Sequence, residues 1–194
     1  MVKFKVVMYG EFGVGKTTLI MRLFRNEFFS RTQSTIGASF MSWRPPNDPE
    51  MYMGIWDTAG QERFNTLLPM YLRGSHVVVN CVEYGEPFDE EKAAQMYEIA
   101  KLHSPKSMYY IVQTKTDKRD TPELQKDPEI EKFAKEKGIT KILYTSSKTG
   151  EGVIELFEDI AKELKTIPEP KDLHSLHLER TANNNTIKRY FNCC

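Results

Sequence analysis

Apolar positions along this chain recur in two rhythms, one suited to strands and one to helices. Val2 to Tyr9 is an apolar-rich run of strand length. Lys16 to Arg25 repeats near the helical period and puts Leu19, Ile20, Leu23 and Phe24 on one face. Strands are predicted over Phe40 to Arg44 and Met51 to Asp57, with a turn at Pro45, Pro46, Asn47, Asp48 and Pro49 between them. His76 to Val82 is an apolar run interrupted by Asn80, typical of a strand covered on both faces. A helix over Glu90 to Leu102, a strand over Met108 to Thr114, a helix over Asp127 to Lys137 and a strand over Ile139 to Tyr144 follow. A last helix over Gly152 to Lys165 turns Val153, Leu156, Phe157, Ile160 and Leu164 inward. Strands alternating with long helices predict a three-layer, doubly wound α/β fold with a mostly parallel six-stranded sheet. Ligands in such folds bind at the carboxyl ends of the strands.

From Thr166 the rhythm stops. Pro168 and Pro170 end the helix, and the polar stretch beyond carries Asn183, Asn184 and Asn185 in a row. The expected organisation is one domain over 1–166 and a flexible tail over 167–194. The 194 residues suit one substantial core. The 27 basic and 27 acidic residues cancel, so no global field favours nucleic acid or an acidic membrane. Only three cysteines occur, two of them the final residues, which fits a reducing compartment better than a disulfide framework. No apolar run reaches the roughly 18 residues of a membrane span, and the charged start is too short for a secretory signal.

After the first predicted strand comes Gly10-Glu11-Phe12-Gly13-Val14-Gly15-Lys16-Thr17, which satisfies the spacing G-x-x-x-x-G-K-[ST] in the required strand–loop–helix context. Glycines let the loop turn tightly enough for backbone N–H groups from Gly13 through Thr18 to face phosphate oxygens. The helix that follows adds its positive end. Lys16 supplies a charge to the outer phosphates, and the Thr17 hydroxyl suits magnesium. This loop specifies a nucleoside triphosphate and leaves the base open.

The third predicted strand runs into Trp56-Asp57-Thr58-Ala59-Gly60-Gln61-Glu62-Arg63-Phe64. This wording resembles the small GTPases, and the Rab family in particular. Ser34-Thr35-Ile36-Gly37-Ala38-Ser39-Phe40 resembles the first switch segment of the same family, with its I-G-x-x-F signature. The resemblance implies magnesium held by Thr17, Thr35 and Asp57, the terminal phosphate sensed by Thr35 and Gly60, and the attacking water oriented by Gln61. It implies an effector surface at Ile36, Gly37, Phe40, Trp56 and Tyr71, although Phe40 on its own suits a core position equally well. Leu68 to Ser75, read with I-G-A-S-F, is worded like the early-endosomal Rabs.

Base choice is expected from Thr114-Lys115-Thr116-Asp117, which resembles the family's N-K-x-D. A carboxylate at Asp117 accepts from two guanine N–H donors that adenine does not offer in that arrangement, and the Lys115 stem covers the ring. Thr145-Ser146-Ser147-Lys148 resembles the family's E-T-S-A-K loop, which completes the base pocket. Phe28 is expected to lie against the base, with Phe29 as the competing aromatic.

Three departures stand out. Thr114 replaces the usual Asn, as Rho-type relatives also do, and is expected to loosen nucleotide retention. Phe12 replaces a small residue and is expected to slow hydrolysis by crowding Gln61 or a catalytic residue supplied in trans. Asn80 to Gly85 lacks the usual Y-D-x-T, and Cys81 there reads as a buried thiol. The ending Asn192-Cys193-Cys194 is not a C-a-a-X box. It resembles the double-cysteine ending of Rabs, which implies geranylgeranyl groups on Cys193 and Cys194. Two lipids suffice for stable anchoring where one does not. The family reading is therefore a cytoplasmic GTP/GDP switch with slow hydrolysis, cycling to the cytosolic face of endomembranes in vesicle traffic. Its implied partners are effectors, an exchange factor, a GTPase-activating protein and carriers of the Rab escort and GDP-dissociation-inhibitor type. The alternatives are a non-hydrolysing guanine-nucleotide module and a Rho-type cytoskeletal regulator.

Overall fold

The computed structural model describes residues 2–30, 32–61, 66–121 and 123–167. The expected tail, with Cys193 and Cys194, lies outside the described residues, as do Glu62, Arg63 and Phe64. Six strands form one sheet: β1 (Val2–Tyr9), β2 (Ala38–Trp43), β3 (Met51–Thr58), β4 (Val77–Glu83), β5 (Met108–Thr114) and β6 (Lys141–Tyr144). Their order is β2-β3-β1-β4-β5-β6. All neighbours pair in parallel except β2 with β3, which are antiparallel. This is the expected mostly parallel, doubly wound sheet.

The period of two along the strands feeds two separate cores. Phe4, Val6 and Met8 of β1, with Val77, Val79 and Cys81 of β4, pack on one face. Val7, Tyr9 and Val78 point to the other. Helices α1 (Lys16–Arg25) and α5 (Val153–Leu164) cover the first face with Leu19, Ile20, Leu156, Phe157 and Ile160. Helices α2 (Leu68–Leu72), α3 (Glu90–His103) and α4 (Pro128–Lys137) cover the second with Leu72, Ala93, Ala100 and Phe133. Each fully buried Leu, Ile or Phe contributes about 1.5–3 kcal/mol, so this double-sided burial is what holds the strand ends rigid beneath the loops. Cys81 is buried as expected, and burial pushes its thiol pKa up to about 12.

Local chemistry sets the boundaries. The Asp89 carboxylate accepts from the Lys92 N–H at 2.9 Å and starts α3; Asp127 accepts from the Glu129 and Ile130 N–H groups and starts α4. Gly138, at φ +66°, ends α4 in the left-handed conformation. Ile139, expected in the last strand, instead closes this cap: its N–H reaches the Ala134 carbonyl at 2.7 Å and its side chain joins the second core. The predicted turn at 45–49 is present, and Lys165 ties it to the end of α5 through Asp48 at 2.9 Å.

Candidate functional site

At the carboxyl ends of β1, β3 and β5 lies a cavity of about 600 Å³, within the range of small-molecule sites. Its floor is the loop between β1 and α1. Gly15 caps α1 at φ +100°, a conformation strained for any residue with a Cβ. Among the described residues no side chain caps this helix start, and its first turn holds no acidic residue. The N–H groups at the start of α1 are therefore available to an anion, in the positive end of the helix dipole. The Lys16 ammonium folds back over the loop and donates to the carbonyls of Gly10 at 2.8 Å and Glu11 at 2.7 Å. It is 5% exposed, and burial lowers its pKa. The nearby Asp57 and Glu11 carboxylates oppose that lowering without overcoming it, and a phosphate would stabilise the ammonium further.

The three expected metal ligands converge beside this lysine. The Thr17 hydroxyl donates to Asp57 Oδ2 at 2.7 Å, and the Thr35 hydroxyl reaches the same oxygen at 3.3 Å; the two hydroxyl oxygens are 3.0 Å apart. Asp57 is 2% exposed, and its other oxygen, Oδ1, is buried without a hydrogen-bond partner among the described residues. Burial raises the Asp57 pKa, against the lowering effect of the two hydroxyls and Lys16. An orphaned carboxylate oxygen beside two hydroxyls is a hard-oxygen donor set that fits magnesium. With a single carboxylate it is suited to a cation shared with phosphates and water rather than to an all-protein cage.

Backbone contacts join the two switch segments here. Ala59 N–H donates to the Gly37 carbonyl at 2.8 Å. Gly60 lies so close to the phosphate loop that a Cβ would stand 2.4 Å from the Glu11 carbonyl, so only glycine fits. Gln61 follows, half-buried, and is not among the cavity-lining residues. Phe12 is 60% exposed and lines both this cavity and a second one of about 430 Å³ that runs beneath Gly60 to α3.

The far end of the cavity gathers the expected base residues. Lys115, Asp117, Ser147 and Lys148 line it together with Phe28 and Phe29. Phe28 is exposed, whereas Phe29 lies under the Arg25 guanidinium at 6.0 Å. Ser146 is fully buried and donates to Asp117 Oδ1 at 2.6 Å, acting behind the pocket wall. Val14 is likewise a wall residue: it is buried, and its carbonyl accepts from Thr114 Oγ1 at 2.5 Å. The same hydroxyl also reaches the Val82 carbonyl at 3.1 Å. A hydroxyl has one proton for these two acceptors, whereas an Asn amide has two; the substitution thins the brace between the phosphate loop and β4. Lys118 also lines the cavity and was not signalled by the motifs.

On the outer side, Phe40 of β2 pairs directly across from Trp56 of β3, their rings 5.3 Å apart, and Trp56 meets Tyr71 of α2 at 5.8 Å. Phe40 is 51% and Ile36 82% exposed, which decides Phe40 as a surface residue. The Tyr71 hydroxyl lies beside Gly37. Of the five expected effector residues, Ile36 and Phe40 are exposed and Gly37, Trp56 and Tyr71 are half-buried beside them.

Known proteins place this arrangement. The Ras family model matches residues 5–166. Ras-related protein Rab-5A of Dictyostelium discoideum is 36% identical over 168 residues, covering 86% of this chain and 83% of that protein. Ras-related protein RABF2b of Arabidopsis thaliana is 30% identical over 192 residues, 98% and 94% of the two chains. GTP-binding protein ypt5 of Schizosaccharomyces pombe is 32% identical over 163 residues, 82% and 77%. The phosphate loop, the linked switch segments and the Asp117 pocket are therefore those of a Ras-family protein, and within that family the chain is a Rab small GTPase of the Rab5-like group.

Proposed function

We propose that this Rab protein is a magnesium-dependent GTP/GDP switch of endosomal membrane traffic, with slow intrinsic hydrolysis. The observation that carries the reading is the convergence of Thr17, Thr35 and the orphaned Asp57 oxygen beside Lys16. Gly13 to Thr18 hold the phosphates through backbone N–H groups and the Lys16 ammonium. Asp117 selects guanine, braced by Ser146, while Lys115, Phe28, Ser147 and Lys148 enclose the ring. Thr17, Thr35 and Asp57 hold magnesium, which when bound neutralises charge shared between the outer phosphates. Gln61 orients the attacking water.

The switch follows from the same contacts. Thr35 and Gly60 belong to the two segments, and both turn toward the terminal phosphate. Loss of that phosphate removes what holds them together, and the patch at Ile36, Gly37, Phe40, Trp56 and Tyr71 loses its shape. Effectors read the patch in the GTP state; an exchange factor and a GTPase-activating protein act on the same switches. Cys193 and Cys194 take geranylgeranyl groups, and carriers of the escort and GDP-dissociation-inhibitor type shuttle the protein between cytoplasm and endosomal membrane.

Chelation tests the magnesium assignment. Protein loaded with labelled GDP is expected to release it about a hundredfold faster in excess EDTA, a loss of about 2.7 kcal/mol of retention. A release rate indifferent to EDTA contradicts the assignment of Thr17, Thr35 and Asp57.

Phe12 carries the slow turnover. Its exposed ring stands at the mouth of the phosphate loop, where an attacking water or a residue from an activating protein must pass. Phe12→Gly is expected to speed single-turnover GTP hydrolysis about tenfold, a drop of about 1.4 kcal/mol in the barrier. An unchanged rate removes the steric explanation.

A further inference from the structure

We propose that Glu83 is a positioning residue for guanine-nucleotide retention, its two carboxylate oxygens clamping Lys115 and Lys118 on either side of the base-selecting Asp117. The inference rests on the guanine-binding reading above and adds a residue outside every motif. Glu83 is the last residue of β4, where the usual family wording is absent. Oε2 accepts from the Lys115 ammonium at 2.5 Å, and Oε1 pairs with the Lys118 ammonium. The Glu83 side chain is only 16% exposed, so water screens these pairs less than it would at the open surface. Burial alone would lift the Glu83 carboxyl, but the two ammoniums more than offset it and hold the carboxyl below its usual range.

The clamp acts on a turn that needs one. Lys115 sits at φ +60°, a left-handed conformation unfavourable for a residue with a long side chain, and it opens the short helical turn Thr116–Lys118. A second tie runs from the Tyr84 N–H to the Thr114 carbonyl at 2.9 Å, so the end of β4 grips this turn by both backbone and side chain. The thinned brace at Thr114 makes that grip more consequential. The charge arrangement also matters. Asp117 must keep acceptor capacity for the guanine donors, with Ser146 on Oδ1 and Lys148 at 3.7 Å from Oδ2. Lys118 keeps a second partner in Glu86 at 3.7 Å, so it is Lys115 that, once released from Glu83, would compete with guanine for that carboxylate.

The test is the dissociation rate of labelled GDP from the full-length, magnesium-loaded protein. Glu83→Gln keeps the shape and removes the charge; it is expected to release GDP roughly tenfold faster, about 1.4 kcal/mol of retention. Glu83→Asp, a methylene too short to span both lysines, is expected to fall between the two. Adding Glu83→Gln to a Lys115→Met, Lys118→Met background is expected to produce no further acceleration, because the partners are already gone. Single-turnover hydrolysis of GTP already bound is expected to stay at the wild-type rate, since Glu83 touches no phosphate-binding group; a general loosening of the fold would change it. Wild-type retention of GDP with an equal rate in Glu83→Gln overturns this inference alone, as does equal acceleration in the lysine-free background. Wild-type protein that retains no guanine nucleotide overturns the function proposed above, and this inference with it.

Discussion

Lys16→Met is expected to weaken GTP binding about a hundredfold to a thousandfold while leaving the nucleotide-free protein folded. The two effects separate because the lysine plays opposite parts in the two states. Its ammonium is 5% exposed and donates to the carbonyls of Gly10 and Glu11. Methionine gives up those two hydrogen bonds but also removes the cost of burying the charge, so the net change in folding stability is expected to stay within about 1 kcal/mol. With nucleotide bound, nothing replaces the charge at the outer phosphates. Equilibrium titration with a fluorescent GTP analogue gives the first number and thermal unfolding of the nucleotide-free protein the second. Near-wild-type affinity for GTP would contradict the role given to Lys16. Collapse of the unfolding midpoint would show instead that the lysine holds the loop together.

Asp117→Asn is expected to lower affinity for GTP about a thousandfold and to shift preference toward xanthine nucleotides. Asp117 presents acceptors only, and Ser146 already satisfies one oxygen at 2.6 Å. An amide turned to keep the Ser146 bond points its NH₂ group at the guanine amino group, so donor faces donor. Xanthine carries a carbonyl where guanine carries that amine and restores the match. Competition of GTP, XTP and ATP against one labelled probe reads the change directly. A variant that keeps its preference for GTP would move base selection away from Asp117.

The elements most legible in the sequence were those whose burial is simplest. Apart from Asn80 and the terminal Glu83, the run at β4 is apolar on both faces because both faces of the strand are covered, and α5 shows its inward face residue by residue. Helix α2 escaped because five residues, one of them Pro69 in the first turn, are too few to display a helical period. The β2 boundary was shifted toward the turn because Ala38 and Ser39 carry no apolar signal, although they pair with Thr58 and Asp57.

The candidate site divides along similar lines. Residues assigned to phosphate or metal sit at fixed spacings in three short motifs, so Lys16, Thr17, Thr35 and Asp57 can be named before any geometry. Spacing alone could not say that Val14 and Ser146 work from behind the wall, nor settle whether Phe40 is core or surface. The Glu83 clamp was invisible for a different reason. Its partners lie 32 residues away from it for Lys115 and 35 for Lys118, and only the parallel pairing of β4 with β5 brings them together.

The central claim, a guanine-specific switch that turns over its nucleotide, is tested most directly by one chromatographic time course. Protein stripped of nucleotide is incubated with magnesium and equal GTP and ATP, freed of unbound nucleotide, and sampled over hours. The account predicts bound GTP that converts slowly to bound GDP, with no ATP retained. Retained ATP, or no retained nucleotide at all, would contradict it.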